Sequence, residues 1–106
     1  CRTDCSWFGF KIAVKPGAPF SRTELAQELD RHRVGNRMLF GGNLLRQPAF
    51  VRLKRDNPAM LRQVCQLCGS DMIMNQTLFL GTYPGLATKM LLTEINIIAD
   101  FISGRL

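Results

Sequence analysis

A small α+β domain, with a three- to four-stranded sheet and helices on one face, is the fold class this sequence predicts. Three observations carry that reading. Apolar residues alternate over 6–14, a serine-led helix start follows at 21–24, and a broad apolar stripe runs through 87–103. At 106 residues the chain suits one domain with a single core.

The elements follow in order. In the segment 6–14, Phe8, Phe10, Ile12 and Val14 fall on one side and Trp7, Gly9, Lys11 and Ala13 on the other, the period of a half-buried strand. Pro16-Gly17 ends it. Ser21-Arg22-Thr23-Glu24 is a capping box, in which serine and glutamate satisfy free backbone N–H groups at a helix start. That helix is expected to reach about Arg33, with Leu25 and Leu29 inward and Gly35 closing it in the left-handed conformation. A second strand is expected over 36–40, leading into the turn Gly41-Gly42-Asn43. Asn57-Pro58 looks like a helix start, with asparagine as cap and proline in the first turn, running through Cys65 toward Gly69. One further turn is expected over 71–76, then a buried strand over 77–80 and a closing loop at 81–85. The last helix spans about 87–103, with Leu86, Met90, Ile97, Ile98, Phe101 and Ile102 along its apolar side.

Composition narrows the function classes. No run approaches the ~18 apolar residues of a membrane span. The opening Cys-Arg-Thr-Asp-Cys has neither an initiator methionine nor a signal-peptide pattern, which suggests a piece of something longer. Net charge is +6, and no acidic residue stands between Asp30 and Asp56. That basic stretch invites a phosphorylated or nucleic-acid partner. Only Phe50 interleaves with its later charges, so the stacking platform of a single-strand binder is missing.

Four cysteines occur as two close pairs, Cys1/Cys5 and Cys65/Cys68. Together they are a weak candidate for a four-thiolate zinc site, because the pairs stand far apart in sequence. Reduced thiols of a cytoplasmic protein are the plainer expectation. The catalytic inventory is thin. His32, the only histidine, sits at a helix C-terminus between Arg31 and Arg33, where a cationic or hydrogen-bonding role accounts for it. None of Lys11, Lys15, Lys54 and Lys89 has a recognisable imine-forming setting. No catalytic residue is assigned.

The segment with most chemistry is 35–50. Arg37 and Arg46 flank Gly41-Gly42-Asn43, a turn that lets backbone approach a ligand, and two guanidinium groups suit phosphate or carboxylate. Four blocks then occur in order: Ser6-Trp7-Phe8-Gly9-Phe10, the stretch from Asn36 through Phe40-Gly41-Gly42-Asn43-Leu44-Leu45-Arg46-Gln47-Pro48 to Phe50, Asp71-Met72-Ile73-Met74-Asn75-Gln76-Thr77, and Gly81-Thr82-Tyr83-Pro84-Gly85-Leu86. The series resembles the C-terminal small domain of nucleotide-sugar 3-dehydrases, pyridoxal-phosphate-dependent relatives of the DegT-type sugar aminotransferases. Within that family the likeness is strongest to the CDP-4-keto-6-deoxy-D-glucose 3-dehydrases of lipopolysaccharide O-antigen biosynthesis.

The resemblance implies a parent enzyme whose large domain, outside this chain, binds pyridoxal or pyridoxamine phosphate. It implies a cytoplasmic homodimer acting on a CDP-4-keto-6-deoxyhexose, with no nucleic-acid or membrane partner. This chain would supply the substrate-facing edge: Arg37 and Arg46 toward charged or hydroxyl groups, Asn43 and Gln47 toward sugar hydroxyls, and Phe40, Gly41 and Gly42 as wall, with Tyr83 as an outlying contact. The alternative for each is packing against the large domain. Segment 51–70 departs from the family pattern, as does Ala87, where a threonine cap is usual. A basic zinc- or nucleic-acid-binding module, and an inactive remnant with an exposed interdomain surface, are the competing readings.

Overall fold

A computed structural model describes residues 4–106. Its strands β1 (Gly9–Ala13), β2 (Asn36–Met38) and β3 (Thr77–Gly81) form one antiparallel sheet in the order β1-β3-β2. The helices are α1 (Arg22–Arg31), α2 (Pro48–Asp56), α3 (Cys68–Gln76) and α4 (Thr88–Ser103). The α+β class therefore holds. β3, last in sequence, is the central strand, so the sheet closes only after the long middle segment has returned.

Register assigns the two faces. Phe10 and Ile12 stand opposite Leu80 and Leu78, and across β3 these meet Asn36 and Met38. Leu78 and Leu80 of this face join Leu25 and Leu29 of α1, with Val14 and Val34, as the buried core. Ile97, Ile98 and Phe101 of α4 pack against it, and the Phe101 ring meets Phe20 edge-on at 5.1 Å. None of the α4 residues is fully buried, and Leu92 and Ile95 are more than half exposed.

α1 begins as the sequence dictates. The Ser21 hydroxyl accepts from the Glu24 N–H at 3.2 Å, and the Glu24 carboxylate accepts from the Ser21 N–H at 2.8 Å. Its end differs from expectation. His32 is the C-cap, and Arg33, not Gly35, takes the left-handed conformation at φ 59°. The Val34 N–H bonds the Leu29 carbonyl at 2.9 Å and the Arg33 N–H bonds that of Asp30 at 3.0 Å. This double closure brings Val34 onto Leu29 in the core, which offsets the cost of a side chain at positive φ.

The middle overturns the expected helix from Asn57. Pro48 opens α2, because the first helical position needs no N–H, and the chain leaves α2 at Asn57 ahead of Pro58. Pro58–Met60 makes only a single 3₁₀ turn. The expected turn over 71–76 is the last two thirds of α3, which starts already at Cys68. β1 and β2 are shorter than the strands expected over 6–14 and 36–40, which leaves Trp7, Phe8, Leu39 and Phe40 outside the sheet ladder.

Candidate functional site

The second face of the sheet carries no buried core. Register places Lys11, Phe79 and Arg37 side by side across β1, β3 and β2. Phe79 is thus flanked by two cations, and neither forms an ion pair among the described residues. Phe8, just ahead of β1, and Phe40, just beyond β2, fold toward this face. Phe8 and Phe40 lie nearly parallel at 6.3 Å, and Phe79 stands 5.8 Å from Phe8 and 5.9 Å from Phe40. The alternation expected from sequence had put Phe8 with Phe10 and Ile12; leaving the ladder before Gly9 frees it to turn to the opposite side.

Gly9 makes the arrangement fit. A Cβ there would come within 2.6 Å of the Phe79 ring and 3.0 Å of the Leu80 carbonyl oxygen. Trp7, Phe8, Leu39, Phe40 and Phe79 line a hollow of about 210 Å³ over this glycine. The rings stay open to solvent, with Phe8 71% and Phe40 76% exposed. Phe40 is also held at φ 47°, a left-handed conformation costing a non-glycine residue about 1–2 kcal/mol. Such strain persists only where surrounding bonds over-determine it.

Those bonds come from the segment that follows. Gly42 turns the chain at φ 61°, and its missing Cβ makes room for Met74 of α3. Asn43 is buried. Its side-chain oxygen accepts from the Leu45 N–H at 3.1 Å, starting a 3₁₀ turn over Leu44–Arg46, and its amide nitrogen donates to Asp71 at 2.8 Å. Arg46 grips the same carboxylate bidentately, Nε to Oδ1 at 2.5 Å and Nη2 to Oδ2 at 2.7 Å. Gln47 donates to the Gly41 carbonyl at 2.7 Å. The Arg46 and Asn43 donors together pull the Asp71 pKa down to about 2, and Asp71 in turn raises that of Arg46.

The residues expected at the site thus fall into two groups. Arg37 and Phe40 stand on the open face. Asn43, Arg46 and Gln47 direct these hydrogen bonds to the loop itself and to Asp71, and so tie the loop together. Tyr83, 59% exposed, lies in a neighbouring groove of about 620 Å³ along β1, with Trp7, Phe10 and Lys11. Trp7 and Gly9 line both hollows. Sequence reasoning missed Phe8, Lys11 and Phe79 on this face: strand register alone brings Lys11 and Phe79 beside Arg37, and Phe8 reaches them by leaving the ladder. Asp71 lay inside a quoted block, but nothing local marks it as the partner of a residue 25 positions away.

Of the weak metal candidates, Cys5, Cys65 and Cys68 are free and exposed, and Cys1 lies outside the described residues. Among the described residues no group of three metal-ligating side chains converges. His32 meets Glu28 of its own helix at 3.2 Å. Lys11, Lys15, Lys54 and Lys89 are all exposed. No helix among the described residues is long and apolar enough to cross a membrane.

No family model matches the chain. Two curated proteins do. Over 90 residues, or 85% of its length, the chain is 46% identical to the lipopolysaccharide biosynthesis protein RfbH of Salmonella typhimurium. Over 101 residues it is 36% identical to dTDP-4-dehydro-2,6-dideoxy-D-glucose 3-dehydratase of Saccharopolyspora spinosa. One relative is thus named for lipopolysaccharide biosynthesis and the other as a nucleotide-sugar 3-dehydratase. This bears out the resemblance carried by the four ordered blocks. The matches cover 19% and 21% of those two proteins, so the chain spans about a fifth of the length of the relatives it resembles.

Proposed function

We propose that this chain is the C-terminal small domain of a DegT-type, pyridoxal-phosphate-dependent nucleotide-sugar 3-dehydratase, a cytoplasmic homodimer making a deoxysugar precursor for lipopolysaccharide. The 46% identity to RfbH over 85% of the chain carries the reading. The substrate is a nucleotide-linked 4-keto-6-deoxyhexose. Resemblance favours the CDP form, while the second relative is named for a dTDP sugar.

The cofactor, held by the large domain, supplies an electron sink that permits loss of the C3 hydroxyl. The residues of this chain bind and orient. The face made by Phe8, Phe40 and Phe79 offers flat apolar surface to a sugar ring and excludes water from it. Arg37, on the same face and without an ion pair among the described residues, is suited to a substrate phosphate or hydroxyl, and Lys11 adds positive charge across Phe79. Asn43, Arg46 and Gln47 shape the loop that carries Phe40. Tyr83 lies beyond the aromatic face and is the outlying contact.

The test is the coding DNA upstream of Cys1. A frame continuous with several hundred residues, with histidine at the position of the usual cofactor-binding lysine, supports a 3-dehydratase. Lysine there makes the parent an aminotransferase, and a frame opening at Cys1 overturns the domain reading.

A further inference from the structure

The loop 39–47 is held from outside itself by two residues of α3. Asp71 accepts both the Arg46 fork and the Asn43 amide. One turn later, Met74 fills the space a Gly42 side chain would take, its Cγ 2.5 Å and its Cβ 2.9 Å from that position. Three residues apart, Asp71 and Met74 share one face of the helix. A single carboxylate therefore fixes two side chains of the segment that follows the strained Phe40.

We infer that Asp71 is a positioning residue. From α3 it sets the Gly41-Gly42-Asn43 turn so that Phe40 is presented beside Arg37 on the aromatic face. The assignment rests on reading that face as ligand-facing. It makes Arg46 and Asn43 the means by which α3 acts on Phe40, where the sequence had suggested direct contacts. Charge-assisted, bidentate bonds of this kind are the strong, directional ones, which suits the task of holding one conformation.

The experiment is residue-resolved amide hydrogen exchange on the 106-residue chain, comparing wild type, Asp71→Asn and the charge-exchanged pair Arg46→Asp/Asp71→Arg. The carboxamide keeps the shape of Asp71 but cannot accept the guanidinium fork at both atoms. Exchange at Gly42, Leu45, Arg46 and Gln47 is expected to rise by roughly tenfold or more in Asp71→Asn, while Leu78 and Leu80 stay unchanged. The exchanged pair is expected to recover only the part of the protection that the fork supplies, because an arginine at position 71 cannot accept from the Asn43 amide. Unchanged loop exchange overturns the inference, and so does a loss spread equally over β3 and α1. Should Asp71→Asn fail to fold, Arg46→Lys decides, since it keeps the charge and removes the fork. A rise confined to the loop then supports the inference, and an unaltered loop overturns it. These outcomes are independent of whether a nucleotide sugar binds, so failure of the dehydratase reading is separately visible.

Discussion

At Gly42 two constraints meet at one backbone position. The turn needs φ 61°, and the space beside it already holds Met74. Gly42→Ala adds a methyl that Met74 cannot avoid by moving its tip, because the clash is with Cβ and Cγ. A loss of about 1–2 kcal/mol from the left-handed conformation alone is expected, and more with the clash, read from urea unfolding midpoints. The titrating residues give a second test. Glu24 is drawn down from 4.5 to about 2, first by the Ser21 N–H and then by Arg105; Asp71 falls from 3.8 to about 2 through Arg46 and then Asn43. Folding lowers both pKa values, so both groups favour the folded state most fully above about pH 5. That contribution drains away as pH falls through about 4 toward 2. Unfolding midpoints measured from pH 7 down to 2 should fall in wild type, and fall less steeply in Glu24→Gln and Asp71→Asn. Identical slopes in all three proteins would remove these carboxylates from the account.

Whole elements show where local chemistry decides and where it does not. The capping box of α1 was legible because Ser21 and Glu24 act on backbone within one turn. The closing strand 77–80 and the last helix were legible for the same reason, through short-range apolar pattern. Pro48 and Pro58 were not. A proline fits a first helical turn and also follows a helix end, and only the surrounding packing chooses between them. The end of α1 misled for a related reason: glycine is the cheap left-handed residue, but placing Val34 over Leu29 selects Arg33 for that role. The aromatic face was the least legible feature, since pairing Lys11 with Phe79 and Phe79 with Arg37 is a fact of long-range register. At α4 the reading and the structure agree on a defect. Ala87 is the N-cap, in extended conformation, and offers no side-chain bond to the helix. Ala87→Ser or Ala87→Asp should stabilise the domain by about 0.5–2 kcal/mol, measured by thermal or urea unfolding. No gain would mean that Thr88 or solvent already satisfies those N–H groups.

The molecule as a whole is too open for its length. It exposes 8535 Å², against about 6,000 Å² for a compact monomer of this mass, and its radius of gyration is 17.3 Å where about 13 Å is usual. Many large apolar side chains are exposed, Trp7, Phe10 and Ile95 among them. Beyond the aromatic face, Phe10, Leu80, Leu91, Ile95 and Ile98 line an apolar groove of about 270 Å³ between the sheet and α4. Exposed apolar surface on this scale marks contacts with other polypeptide. In the proposed parent that polypeptide is the remaining four fifths of the enzyme; without it, the chain should cover the groove with copies of itself. Sedimentation of the isolated chain over a concentration series is therefore expected to show reversible self-association. Ile95→Glu places a charge on the rim of the groove, where the native side chain is already 58% exposed. It should shift the equilibrium toward monomer and leave the unfolding midpoint of the monomer within about 0.5 kcal/mol of wild type. Wild-type chain that stays monomeric throughout would separate the open shape from any missing partner, because the apolar groove would then be tolerated by water alone.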